Sequence, residues 1–122
     1  MKKGRDYITF LEDIIDSSEK IDEYTKGFSV QDFLVDEKTK DAVIVRVQII
    51  GEAVKNLPAD FKRKYKDIDW RKSVKLRNIF VHSYFGINSS RLWKTIKEDI
   101  PQLKSKIYEL LKGLKSKENK LI

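Results

Sequence analysis

The sequence predicts an all-α protein, an antiparallel bundle of four to five helices. Three observations carry this expectation. Apolar residues recur at three- and four-residue steps along nearly the whole chain, and Gly27, Pro58 and Gly86 fall where those runs end. No stretch shows the strict two-residue alternation of a half-buried strand, and no internal repeat or low-complexity linker interrupts the pattern. At 122 residues the chain suits a single domain, 1–122, large enough to bury a core without metal or disulfide staples.

Taken in order, Ile8, Leu11, Ile14, Ile15 and Ile21 share one face with charges between them, so the first amphipathic helix is expected from about Asp6 to Tyr24. Gly27 is placed to end it. "SVQD", Ser29 to Asp32, resembles a capping box that opens a short helical turn. After Asp36 a longer helix carries Val43, Val47, Ile50, Val54 and Leu57, and Pro58 stops it. A short basic helix is expected over Ala59 to Lys66. Asp69 is a natural N-cap for a helix from Trp70 to about His82. Gly86 permits a turn, and Asn88 or Ser89 can cap a final helix with Leu92, Trp93, Ile96, Ile100, Leu103, Ile107, Leu110, Leu111 and Leu114 facing inward. Pro101 has no N–H to donate, so it must kink or divide that helix. The lysine-rich tail, 113–122, is expected to fray.

The net charge is +7, and its distribution is uneven. From Phe61 to Arg77, Lys62, Arg63, Lys64, Lys66, Arg71, Lys72, Lys75 and Arg77 face only Asp67 and Asp69, a local excess of six positive charges. Met1 to Glu23 instead carries an excess of three negative charges. Such asymmetry suits a surface that attracts polyanions such as RNA, although lysine-rich faces also serve simply to keep small proteins soluble. There is no cysteine, which removes disulfides and thiolate metal sites and fits a reducing, cytoplasmic setting. Acidic residues interrupt the N-terminus where a secretory signal needs an apolar run. "AVIVRVQII" is short and contains Arg46, so no membrane span is expected. One histidine and scattered glycines give neither a metal site nor a glycine-rich nucleotide loop, and no cofactor is expected.

The chemistry-bearing stretch is "RNIFVHSYFGIN", Arg77 to Asn88, which holds His82, the one histidine of the chain. On a regular helix Arg77 and His82 differ by roughly 140° in azimuth and about 7.5 Å along the axis. Trp70, Arg77 and Tyr84 share a stripe, and Asn78 lies one turn before His82, where it can orient the imidazole. Cleaving RNA without a metal requires a base for the 2′-hydroxyl, an acid for the departing 5′-oxygen, and a cation for the charge on phosphorus. One imidazole supplies a single proton-transfer group. A two-fold dimer joining two such stretches would supply two histidines and two arginines. The residues alone also allow His82 to be a satisfied polar residue at a helix end, and Tyr84 and Trp70 to be core or interface aromatics. Gly51 can serve close helix packing, and Glu52 can be a solvated charge or a partner for Arg77.

"IIGEAVKNL", "DIDWRKSVKLRNIFVHSYFGIN" and "LWKTIKEDIPQLKSKI" resemble, in order and spacing, the HepT-like branch of the HEPN domains (higher eukaryotes and prokaryotes nucleotide-binding). The likeness runs from Ile49 to Ile107. The family signature is an arginine, four residues, a histidine, one residue and a tyrosine, with a polar residue after the arginine, and Arg77, Asn78, His82 and Tyr84 match it. The resemblance implies a homodimer with paired motifs at the two-fold axis and a metal-independent endoribonuclease with Arg77 and His82 catalytic and Asn78 and Tyr84 supporting. It also implies the toxin role in a toxin–antitoxin module. Its implied partner is a minimal nucleotidyltransferase of the MNT type that transfers AMP from ATP to Tyr84. Lys75 and Leu76 depart from the Gly-Met that relatives often carry before the arginine. Some members of the family are described only as partners of nucleotidyltransferases, so a non-catalytic nucleotide-binding or nucleotidyltransferase-partner module is the alternative. A third reading is a bundle that contacts nucleic acid only through Lys62 to Lys75.

Overall fold

The computed structural model describes residues 3–75 and 89–120, with side chains over 7–75 and 90–117. Among these residues every regular element is helical: α1 (Lys3–Tyr24), α2 (Val30–Val35), α3 (Glu37–Asn56), α4 (Ala59–Lys64), α5 (70–75), α6 (Ser89–Lys94) and α7 (Ile100–Lys120). The all-α expectation is met. The expected extension of α5 to His82, the turn at Gly86 and the capping role of Asn88 lie outside the described residues.

The local signals explain most boundaries. α1 buries Leu11, Ile14 and Ile21 completely, and Gly27 follows it with φ +77°, a left-handed conformation that costs a residue with a Cβ. The capping box before α2 is closed in both directions. Ser29 Oγ accepts the Asp32 N–H at 3.1 Å, and Asp32 Oδ2 accepts the Ser29 N–H at 2.9 Å. Asp36 caps α3, its Oδ1 accepting the Thr39 N–H at 2.9 Å. That hydrogen bond, with the Thr39 hydroxyl and the Lys38 charge, holds the Asp36 pKa below its ordinary value despite a small opposing desolvation. α3 ends at Asn56 and α4 begins just after Pro58.

Two boundaries differ from expectation in instructive ways. α4 stops at Lys64 instead of continuing to Lys66. The Trp70 indole takes over there, its Nε1–H shared between the carbonyls of Lys62 and Tyr65, both at 3.1 Å. Before Pro101, the helix widens into a π-turn over Thr95–Asp99, with the Ile100 N–H reaching the Thr95 carbonyl. In a regular α-helix the pyrrolidine ring would meet the carbonyl four residues back, that of Lys97. Widening the preceding turn relieves that conflict, so Pro101 divides α6 from α7 without ending the helix.

Cross-links give the helices their directions. Tyr7, at the start of α1, lies 4.6 Å from Phe61, just after the end of α3, so α1 and α3 run antiparallel. Glu12 pairs with Lys115 and Glu19 with Lys104, so α1 and α7 also oppose each other. One apolar cluster joins them, including Leu11, Ile14, Val43, Val47, Ile50, Ile96, Ile100 and Ile107, each at most 1% exposed. Phe33 of α2 is fully buried and meets Trp93 of α6 at 5.2 Å. α7 remains helical through the lysine-rich stretch to Lys120, and Leu114 still packs on the core. No helix among the described residues is long and apolar enough to cross a membrane.

Candidate functional site

Arg77, Asn78, His82 and Tyr84 lie outside the described residues. What is described is the support that precedes them in the chain, α5 and its attachments. Asp69 Oδ1 accepts the Lys72 N–H at 3.0 Å, which fixes the first turn of α5. Trp70 is 8% exposed and pins the helix to the C-terminal carbonyls of α4. Ser73 is buried. The Lys72 ammonium contacts Asp99 of the π-turn at 2.8 Å. Hydrogen bonding to Asp99, and then its negative charge, raise the Lys72 pKa above its ordinary value, while desolvation opposes the shift. Because this pair is half in solvent, its value lies in geometry more than in energy. α5 is therefore tied to α4 on one side and to the π-turn on the other.

The structure separates the seven sequence-predicted basic residues that it describes. Lys62, Arg63, Lys66, Arg71 and Lys75 line one open trough of about 930 Å³, together with Asp67, Asp69, Ile68, Ala59, Trp70 and Val74. Lys72 lies on the other side of α5, in a smaller recess of about 200 Å³ shared with Asp99 and Leu103. Lys64 sits over the Tyr65 ring, 5.6 Å from its centroid. Lys62 has a second task, since its Nζ donates to the Val54 carbonyl at 3.2 Å near the end of α3. Sequence reasoning gave Asp99 no role, because nothing in its spacing marks it as the partner of Lys72. It offered Trp70 only as a core or interface aromatic, whereas the indole N–H is the tie between two helices.

The acidic surface of α1 also acquires partners. Asp16 faces Arg46 at 3.7 Å, Asp22 faces Lys104 at 3.7 Å, and Glu12 meets Lys115 at 3.0 Å. Much of the N-terminal negative charge thus meets cations of α3 and α7, while the trough keeps its excess of positive charge. Gly51 is buried and Glu52 is partly buried on α3. Among the described residues no group of three or more histidine, cysteine, aspartate or glutamate side chains is placed to hold a metal ion.

The family model for ribonuclease HepT-like proteins matches residues 14–110. The chain belongs to this HepT-like family. A relative from Thermococcus cleftensis, named "Probable ribonuclease HepT", is 48% identical over 108 residues, covering 88% of this chain and 98% of the relative. A second relative comes from Methanocaldococcus jannaschii and is named "Gamma-glutamylcyclotransferase and putative RNase". It is 42% identical over 117 residues, 95% of this chain but 53% of that longer protein. A third, named "Putative RNase", from Caldanaerobacter subterraneus, is 39% identical over 111 residues, 91% of this chain and 96% of the relative. No solved structure matches the chain. The HepT-like assignment made from the quoted motifs agrees with these findings.

Proposed function

We propose that this chain is a metal-independent endoribonuclease whose catalytic centre forms where the motifs of two subunits meet. The observation that carries the reading is a complete Arg77, Asn78, His82, Tyr84 signature within a chain matched to ribonuclease HepT-like proteins over residues 14–110. The names of the relatives and the basic trough beside α5 support it.

In this scheme one His82 removes the proton from a ribose 2′-hydroxyl, and the freed oxygen attacks the adjacent phosphorus. The bond to the 5′-oxygen breaks, and a second imidazole delivers the proton that the leaving oxygen needs. The products are a 2′,3′-cyclic phosphate and a 5′-hydroxyl end. Arg77 offers a planar, permanently charged fork to the phosphorane oxygens, and Asn78 orients the His82 ring. Tyr84 contacts RNA and is the acceptor of AMP from an MNT-type nucleotidyltransferase, whose action silences the toxin. Added AMP brings a negative phosphodiester to the place where the substrate phosphate must bind, so modification and substrate binding exclude each other.

The test uses purified protein whose Tyr84 is shown to be unmodified by mass spectrometry, incubated with RNA in excess chelator. Cleavage to cyclic phosphate ends is expected, with His82→Ala slower by about 10²–10⁴-fold and no growth arrest on its expression. Failure of the unmodified protein to cut RNA would refute the nuclease. If His82→Ala then retained binding to a nucleotidyltransferase, the non-catalytic partner module would be the better reading.

A further inference from the structure

From the geometry of the trough we infer that α4 and α5 form a track for single-stranded RNA that holds the substrate strand to one side of the cut. The inference deepens the ribonuclease reading and rests on it for the identity of the polyanion. Arg71 and Lys75 stand one turn apart on α5, about 6 Å along its axis, a spacing that suits successive phosphates of an extended strand. Arg63 on α4 and Lys66 just after it are exposed and line the same trough, and Lys62 is partly exposed.

The floor decides between single strand and duplex. Ala59, Ile68, Trp70 and the half-buried Val74 give the trough an apolar lining among its five cations and the carboxylates of Asp67 and Asp69. A duplex turns its bases inward and presents phosphates on a convex rod, so it has no use for such a floor. A single strand can rest its bases there while its phosphates meet the cations. At about 930 Å³ the space lies near the upper end of the roughly 300–1,000 Å³ that holds a drug-sized molecule, enough for a short stretch of strand. Trp70 is 8% exposed and so leaves little ring for a base to stack on. The lining ends at Lys75, two residues before Arg77 in the chain.

Lys64 supplies an internal control, because it belongs to the same basic segment and does not line the trough. Alanine there removes the same charge as alanine at Arg71 or Lys75. The experiment measures binding of a labelled twelve-nucleotide single strand, and of the matching duplex, to full-length protein carrying His82→Ala, by fluorescence polarisation across a salt series. The single strand is expected to bind more tightly than the duplex. Arg71→Ala with Lys75→Ala should weaken single-strand binding by about ten-fold or more and lower the salt slope by about 0.7 per lost contact. Lys64→Ala should leave affinity within about two-fold. Arg63→Ala with Lys66→Ala, from α4 and the turn after it, must repeat the loss, and circular dichroism checks that each variant folds.

Equal losses at Lys64 and Arg71, tighter duplex binding, or retention of single-strand affinity in both double variants would overturn the track. Displacement of the strand by poly-glutamate as readily as by unlabelled RNA would assign the trough to an acidic protein surface and overturn it as well. The two readings fail separately. Cleavage by protein with an intact His82 whose KM is unmoved by Arg71→Ala sinks the track alone, while selective single-strand binding without cleavage sinks the nuclease alone.

Discussion

Single residues show how little of this fold is decided by burial alone. Ser17 and Ser18 are neighbours on α1 and both are buried, but their hydroxyls fare differently. Ser18 Oγ donates to the Ile14 carbonyl at 2.7 Å, whereas Ser17 Oγ has no hydrogen-bond partner among the described residues. Removing an unsatisfied buried hydroxyl should therefore help. Ser17→Ala is expected to raise stability by about 1 kcal/mol in urea unfolding, and a loss of that size would show that the oxygen has a partner after all. Gly27 acts through its backbone, since its φ of +77° is unfavourable for any residue with a Cβ while the space around it is open. Gly27→Ala should cost about 1 kcal/mol, read as a lower urea midpoint with unchanged slope. Both positions were differently legible in the sequence. Gly27 announced itself by following an amphipathic run, but nothing in the spacing of Ser17 distinguished it from Ser18.

At the scale of elements, the strongest sequence signals were those in which a side chain satisfies a backbone group three residues away. The Ser29–Asp32 box and the cap at Asp69 are of this kind, and Asp36, which the sequence marked only as a boundary, caps α3 in the same way. Asp36 gives a pH-dependent test. Its folded-state pKa lies below the ordinary value, so its contribution is fully present above the unfolded pKa and is lost as pH falls through the lowered folded value. The stability difference between wild type and Asp36→Asn, which keeps a capping oxygen but does not titrate, should shrink as pH drops below about 4. A difference that stays constant from pH 6 to pH 2.5 in thermal melts would contradict this. The end of α4 and the widened turn before Pro101 were beyond such reading. Each depends on a group distant in the chain or on a choice among helix types, and periodicity gives only the face on which a residue lies. For the same reason the run from Lys62 to Lys75 read as one basic segment, although Asp99 and the Tyr65 ring divide it.

At the scale of the molecule, ion pairs join α1 to α3 and α7, while α4, α5 and the turn between them bring five cations and two carboxylates to one trough. The sequence disclosed the helical class, the family and the motif, because these depend on local pattern. It could not disclose which cations share a trough, because that depends on packing between elements. The chemistry of the motif sets the largest remaining expectation, since a single imidazole per chain cannot serve as acid and base at once. The most direct measurement mixes subunits. Wild type and His82→Ala are co-refolded at varying ratios, and RNA cleavage in chelator is measured at constant total protein. If the working centre needs the histidines of both subunits, activity follows the square of the wild-type fraction and falls to about a quarter at an equal mixture. Activity proportional to that fraction, about half at the same point, would show that each chain cuts with its own histidine and would contradict the shared centre.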